Sequence, residues 1–339
     1  MKNKDIFALL KDLKPELQVL NDDVLLIDGF NLFFRNFSVI NTLNPDGEHI
    51  GGLGGFIKSL GYLIKIMNPT HVYVVFDGNN SSQSRKDILP EYKSNRNQKV
   101  VNKDIFSEVE EENESKTKQI IRIIQYLKLF PVNVIAIDNV EADDVIAYMS
   151  LILSKKNKTK VTIVSNDQDY LQLINENTII YLGTEKKHYT EQVFTEKYNI
   201  PPHNFLIYKL LMGDSSDALS GVKGLGPKKI GTLFPELKDS YIDFEKLIKI
   251  SEKKVDNHNI YKLILESKED LQNKYNVMNL NKPMLSEQDK IDVEQFTTQN
   301  NKHFNPSLFL KMYNDDKLGN MIKDPHVWVT TTFRTLLNK

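Results

Sequence analysis

The stretch VLLIDGFN, residues 24–31, decides how the rest of the chain is read. Four consecutive apolar residues suit a strand buried on both faces, and the aspartate and glycine that close the run mark its end. The same pattern returns three times. VYVVF at 72–76 runs into Asp77, VNVIAI at 132–137 leads through Asp138 to EADD at 141–144, and VTIV at 161–164 leads into SNDQDY at 165–170. A fifth run, TIIYL at 178–182, follows a short helical stretch. Helical patterns separate these β-branched runs, as in an α/β fold with a mostly parallel central sheet flanked by helices. Ligands of such sheets bind beyond the carboxyl ends of the strands, so the acids that follow four of the runs are expected to converge on one pocket.

Composition sets the limits. A chain of 339 residues, 40% of them apolar, can bury a sizeable core and is expected to divide in two. Residues 1–200 would form the α/β part and residues 201–339 a helical part, because strand signals fade beyond Pro201 and Pro202 into FLIYKLLMGD, KKIGTLF, FEKLIKI and IYKLILES. The absence of cysteine excludes disulfides, thiolate zinc sites and cysteine nucleophiles, and no two of the seven histidines form a helical zinc pair. Any bound metal must therefore be held by oxygen. No apolar run approaches the ~18 residues that span a bilayer, and the first residues lack a signal-peptide core, so a cytoplasmic, monomeric protein without a membrane is expected.

The net charge of −1 argues against a simple polyanion binder, yet charge is sorted along the chain. Residues 85–103 carry six Lys/Arg against two acids, SKKNKTK at 154–160 adds four lysines, and residues 104–114 carry six acids and no base. The segment 79–118 is polar and strand-free, longer than an ordinary connection. It leaves the sheet directly after Asp77.

Singly, each acidic motif also reads as a helix start or a turn. Jointly, Asp28, Asp77, Glu141, Asp143, Asp167 and Asp169 at neighbouring strand ends would repel one another unless cations neutralise them. Oxygen ligands in that number select Mg²⁺ or Mn²⁺, and Asp214 and Asp217, read as i and i+3 on a helix, would add two more. That is more than one ion requires. Two ions about 4 Å apart suit phosphoryl transfer, one activating a water and the other stabilising the leaving oxygen.

In order along the chain, LLIDGFNLFFR, VVFDG, LPEYKSNR, EADDVIAY, SNDQDYLQL and GDSSDALSGVKGLGPKKI resemble the structure-specific 5′-nucleases. That family includes flap endonucleases, the 5′-exonuclease domains of bacterial DNA polymerases and, most alike in size, phage RNase H and phage 5′-exonuclease enzymes. The resemblance spans residues 22 to about 235 and is weak over the last hundred. It implies a PIN-like nuclease fold with a helical arch at about 79–118. It also implies one metal site around Asp28, Asp77, Glu141 and Asp143 and a second around Asp167, Asp169, Asp214 and Asp217, with Asp144 matching a further family acid.

GVKGLGPKK at 221–229 supplies the means to hold phosphate: glycines that let the backbone approach a ligand, Pro227 at a helix start, and Lys228 and Lys229 beside it. It is not a nucleotide P-loop, since no GK[ST] follows. The family implies that residues of about 205–235 form a helix–turn–helix element gripping duplex backbone through Gly221, Lys223, Gly224, Gly226, Lys228 and Lys229, often with a K⁺ on its carbonyls. Arg85 is expected to add a DNA contact. In LPEYKSNR, Lys93 and Arg96 on a helix would face the scissile phosphate, and Tyr92 would stack on an unpaired base. The acidic run 104–114 would keep the arch disordered or disfavour duplex entry. GGLGGF at 51–56 reads as a loop before a helix at 56–66. The stretch HVWVTTTFRTLL and the amphipathic DIFALLKDL at 5–13 either dock on a sliding clamp or single-strand binding protein or pack back on the body.

The function expected is a two-metal, Mg²⁺-dependent 5′-3′ nuclease acting on flaps, nicked duplex DNA and RNA–DNA hybrids, with RNase H activity in removing primers during phage-type replication. Two divalent ions, adding four positive charges, would bring the protein from −1 to +3. The alternatives are an RNA-processing nuclease on a related fold, which would not require the glycine-lysine element, and a DNA-binding protein that has lost catalysis, in which some of the acids should be gone.

Overall fold

In the computed structural model, which describes residues 22–95, 99–155, 159–299 and 301–337, a six-stranded sheet has the order β3-β2-β1-β4-β5-β6. Its strands are β1 (Asp22–Asp28), β2 (His71–Val75), β3 (Asn133–Ile135), β4 (Thr159–Val164), β5 (Thr178–Leu182) and β6 (Lys187–Tyr189). The first five are parallel, and β6 turns back antiparallel on β5. Each of the five apolar runs contains a strand, although only Asn133–Ile135 of VNVIAI is in one; β6 has no such run because it is a short edge strand. After β3 the chain returns past β1 to start β4, so the order reverses between β1 and β4, and a crevice opens there at the strands' carboxyl ends.

Period-two alternation in β1 and β2 divides the core between the two faces of the sheet. Val24, Leu26, Tyr73 and Val75 point to one face. It is covered by α5 (Ala142–Leu153), α7 (Phe205–Met212), α10 (Phe244–Lys253), α11 (Asn259–Glu266), α12 (Lys268–Met278) and α13 (Glu287–Thr297). Leu25, Ile27, Val72 and Val74 point to the other, under α1 (Gly29–Val39), α2 (Gly51–Met67) and α4 (Val109–Leu127). Smaller helices complete the chain: α3 (Gln83–Ile88), α6 (Glu191–Tyr198), α8 (Pro227–Leu233) and α9 (Glu236–Asp239), followed late in the chain by α14 (Pro306–Asp315), α15 (Pro325–Thr332) and α16 (Arg334–Leu337).

Two expectations change here. The glycines of GGLGGF are the first turn of α2, not a loop, and they are buried. A Cβ on Gly52 would lie 2.5 Å from the Phe33 ring and one on Gly55 2.8 Å from Asn36, so their smallness lets α1 and α2 pack closely. Second, residues beyond Pro201 do not share one core. Residues 205–293 extend the first face, whereas Phe309, Met312, Tyr313, Val329, Phe333 and Leu336 cross to the second.

Asn305 N–H donates to Leu129 at 2.9 Å, Arg122 pairs with Asp316 at 2.8 Å, and Trp328 lies over Gly61, where a Cβ would clash at 2.4 Å. Trp328 thus packs back on the body, its ring 5.4 Å from that of Phe309. The amphipathic run at 5–13 lies outside the described residues. Among the described residues no helix is long and apolar enough to cross a membrane. Truncating Trp328 to alanine should lower stability by about 3 kcal/mol, read as a lower denaturation midpoint, while cleavage by the folded fraction is unchanged.

Candidate active site

Asp28 closes β1 and caps α1, accepting the Asn31 N–H at 2.9 Å and the Ser165 hydroxyl at 3.1 Å from the end of β4 across the crevice. Asp77, just beyond β2, accepts the Ala142 N–H at 2.7 Å and so ties the start of α5 to the same edge. Glu141 is the N-cap residue of α5, and Asp143 and Asp144 fall in its first turn. Asp167 caps the 3₁₀ turn Gln168–Leu173 and accepts the Asp169 N–H at 2.8 Å. The strand ends therefore bring Asp28, Asp77, Asp143 and Asp167 within electrostatic reach of one another, with Glu141 at the start of the helix that carries Asp143.

The electrostatics show how close these acids are. Burial, with the charges of Asp77 and Asp167 adding to it, pushes the Asp28 carboxyl up to about 7 against the bonds from Asn31 and Ser165. Asp143 is raised well above its ordinary value by burial and by Asp167 and Asp28, although Tyr170 donates to it at 2.5 Å. Glu141 goes the other way. Burial acts to raise it, but Arg85 at 3.1 Å and Lys93 at 2.8 Å hold it below the usual carboxylate range.

A second group adjoins the first. Oxygens of Asp169, Asp214 and Asp217 lie within 4.8 Å of one another, a spacing suited to a shared cation. Asp214 and Asp217 reach it from a hairpin, β7 (Gly213–Asp214) and β8 (Leu219–Ser220), rather than from successive positions of a helix. The hairpin is pinched at its base. Gly213 has φ +82°, and a Cβ on it would lie 2.3 Å from the Gly221 nitrogen, so Gly221 serves this close approach. Lys274, nearly buried on α12, clamps the hairpin through Ser220, 3.0 Å from its carbonyl and 2.9 Å from its hydroxyl.

Several expected roles are revised by position. Residues 91–95 form a turn, not a helix, with Lys93 at φ +57° and its N–H on the Asp217 carbonyl at 2.9 Å. Its ammonium still reaches the acids. Tyr92 is buried and donates to Glu141 at 3.0 Å, so its ring anchors the turn and is not presented to a base. Arg85, expected as a DNA contact, is only 4% exposed. It grips Asp144 at 2.5 and 3.1 Å and donates to the Val277 carbonyl at 3.1 Å.

Asp144 also accepts the Met284 N–H at 2.8 Å, so its oxygens face Arg85 and the 277–284 stretch, and it acts as a bracket between α3, α5 and α12. Arg96 lies outside the described residues. The acidic run 104–114 largely begins α4, where acids suit the positive helix end. Glu112 is fully buried and receives the N–H groups of Val101 and Asn102 at 2.9 and 2.7 Å, which orders the preceding segment. Lys223, Lys228 and Lys229 are exposed, and within the element expected to hold a K⁺ on its carbonyls the Gly224 carbonyl accepts the Lys229 ammonium at 2.9 Å.

Sequence reasoning missed Lys209, which pairs with both Asp169 and Asp214, and also Tyr170, Ser165 and Asn31. Lys209 sits in the apolar helix FLIYKLLM, where a lone lysine reads as a solvated position. Its one signal was its place five residues ahead of Asp214.

A parallel sheet whose strand ends gather carboxylates, with a basic turn reaching down to them, is the architecture of the PIN-like 5′-nucleases. A family model described as the 5′-3′ exonuclease N-terminal resolvase-like domain matches residues 23–199. A 5′-3′ exonuclease of Buchnera aphidicola is 30% identical over 234 residues, 68% of this chain and 77% of that protein. One from Bacillus subtilis is 30% identical over 225 residues, 64% and 71% of the respective chains. Among solved structures, the bacteriophage T5 D15 protein co-crystallised with metal ions has a TM-score of 0.62 at 20% identity, covering 87% of this chain and 98% of that one. Human GEN1 in complex with Holliday junction DNA has a TM-score of 0.56 at 14% identity, covering 92% and 71%. At these identities the solved structures speak for the fold. The chain belongs to the 5′-3′ exonuclease family of structure-specific nucleases.

Two outcomes follow from the site's electrostatics. Because the folded-state pKa of Asp28 lies above its unfolded value, the ionised carboxyl opposes folding, and stability is lost as pH rises from about 4 through about 7. In chelator at pH 8, Asp28→Asn should therefore melt a few degrees above wild type, and the gap should close as pH falls toward 4.5. Arg85→Ala leaves Asp144 buried without its partner and should cost about 3 to 5 kcal/mol in denaturant midpoint measurements, with Arg85→Lys rescuing only part, since an ammonium cannot span both oxygens.

Proposed function

We propose that this protein is a divalent-metal-dependent 5′-3′ nuclease that hydrolyses phosphodiesters of flaps, nicked duplex DNA and RNA–DNA hybrids, with removal of RNA primers in phage-type replication as its setting. The observation that carries the reading is the juxtaposition of two carboxylate groups, one at the β1–β4 crevice and one at Asp169, Asp214 and Asp217, beside the Lys93 ammonium. Asp28, Asp77, Glu141 and Asp143 would hold one ion, and Asp167, Asp169, Asp214 and Asp217 the other, with Mg²⁺ the ion expected and Mn²⁺ able to substitute. The residues fit. Carboxylates forced together, with Asp28 and Asp143 pushed upward by burial and then by their acidic neighbours, are relieved by a hard cation that accepts oxygen ligands. The T5 D15 protein has also been crystallised as a pseudo-enzyme-product complex with DNA and metal ions. When bound, the ions would supply a water of lowered pKa and neutralise charge on the leaving oxygen.

The chain's own groups do the rest. Lys93, held over the pocket by the Asp217 carbonyl and paired with Glu141, is placed to transfer its charge to an incoming scissile phosphate, where it offsets the negative charge that develops. Arg85 and Tyr92 fix Glu141 from the opposite side, so Lys93 can leave without freeing that carboxylate. Gly224, Gly226, Lys223, Lys228 and Lys229 would take the duplex backbone, which makes binding salt-sensitive and indifferent to sequence. With 5′-labelled flap, nicked and RNA–DNA hybrid substrates, cleavage should appear with Mg²⁺ and vanish with EDTA. Asp167→Asn should abolish product while retaining binding, and Lys93→Ala should slow cleavage far more than it weakens affinity. Cleavage that survives chelation would overturn the reading.

A further inference from the structure

Lys209 projects from α7, whose buried residues are otherwise all apolar, and its side chain is 12% exposed. Its ammonium lies 2.5 Å from Asp214 and in contact with Asp169, two of the three acids whose oxygens lie within 4.8 Å of one another. These carboxylates are themselves almost enclosed, at 14% and 13% exposure. Without a positive charge among them the cluster would carry three negative charges in little water, an arrangement that is strongly unfavourable. The lysine supplies one positive charge, and Asp214 accordingly lies below the usual carboxylate range: burial acts upward, and Lys209 and Ser216 more than offset it.

An ammonium and a divalent ion compete for the same oxygens. Both bind through carboxylate lone pairs, the metal at about 2.1 Å, and two cations sharing one carboxylate pair repel at close range. We propose that Lys209 is a built-in stand-in for the second cation: it holds the Asp169–Asp214–Asp217 group together while that ion is absent and must release those oxygens before the ion binds, so it sets the affinity of that site. The inference rests on the reading of these acids as metal ligands. Among the described residues, no lysine or arginine makes an ion pair with Asp28 or Asp143: Lys93 pairs with Glu141, and Arg85 with Glu141 and Asp144. The two sites should therefore fill in order, the β1–β4 crevice first.

The test measures Mn²⁺ binding to the full chain at pH 7.5, by calorimetry and by the electron paramagnetic resonance signal of free Mn²⁺, with no substrate present. Wild type is expected to show one tighter and one weaker site. Lys209→Met, which keeps the length and removes the charge, should tighten the weaker site by about tenfold or more and leave the tighter one within about twofold. Lys209→Arg should keep the site weak. If the Met variant does not fold, Lys209→Gln carries the same expectation. Two sites whose affinities are unaltered by loss of the charge, or a weaker site that loosens further, would overturn the role of Lys209 while leaving the metal reading intact. Wild type that takes up no Mn²⁺ at all would overturn both.

Discussion

Repulsion between carboxylates at the crevice between β1 and β4 is the constraint around which this molecule is arranged. A parallel sheet directs every strand's carboxyl end to the same edge, and here four of those ends deliver acids. Such a concentration opposes folding, and it persists because the surrounding structure is rigid and over-determined. Ser165 and Asn31 hold Asp28, Tyr170 holds Asp143, and the start of α5 is tied down by Asp77. The fold stores at this edge an electrostatic tension that a hard cation would relieve, a way for a chain of almost neutral charge to meet a polyanion.

The positive side chains around the pocket are not equivalent. Arg85 is sunk into the interior, where its planar guanidinium satisfies Asp144 and braces Glu141 at once. Lys93 is less buried and sits on a turn fixed by the hairpin that carries Asp217, so one short segment links the basic group to both acidic groups. Lys223, Lys228 and Lys229 stay in solvent beyond that hairpin. The positive side chains are thus graded from buried, through partly buried, to solvent-exposed from Arg85 to Lys93 to the lysines of 223–229.

The sheet and most of the acids were legible in the sequence because strands buried on both faces write unbroken apolar runs, and because acids just past such runs have only one edge to occupy. Less legible were the places where tertiary packing decides. Residues 51–55 look like a loop until α1 demands a helix with no side chains on that face. Arg85 and Tyr92 look like surface residues because only the folded chain reveals Asp144 and Glu141 beneath them. Asp214 and Asp217 have helical spacing, but Gly213 and Gly221 close a hairpin instead, and the acids still meet because the turn doubles back. Lys209 was invisible as a site residue because its partner Asp169 lies forty positions earlier.

The return of residues 304–336 to the far face of the sheet has a consequence for how the enzyme comes into being. The six strands of the sheet and the acids at their ends leave the ribosome well before these residues do, yet Phe130 and the α2 face around Gly61 stay wet until Phe309, Trp328 and Phe333 arrive to cover them. A nascent chain would thus carry the acid-bearing strand ends on a half-clad scaffold until the helices at 306–337 emerge to cover its second face.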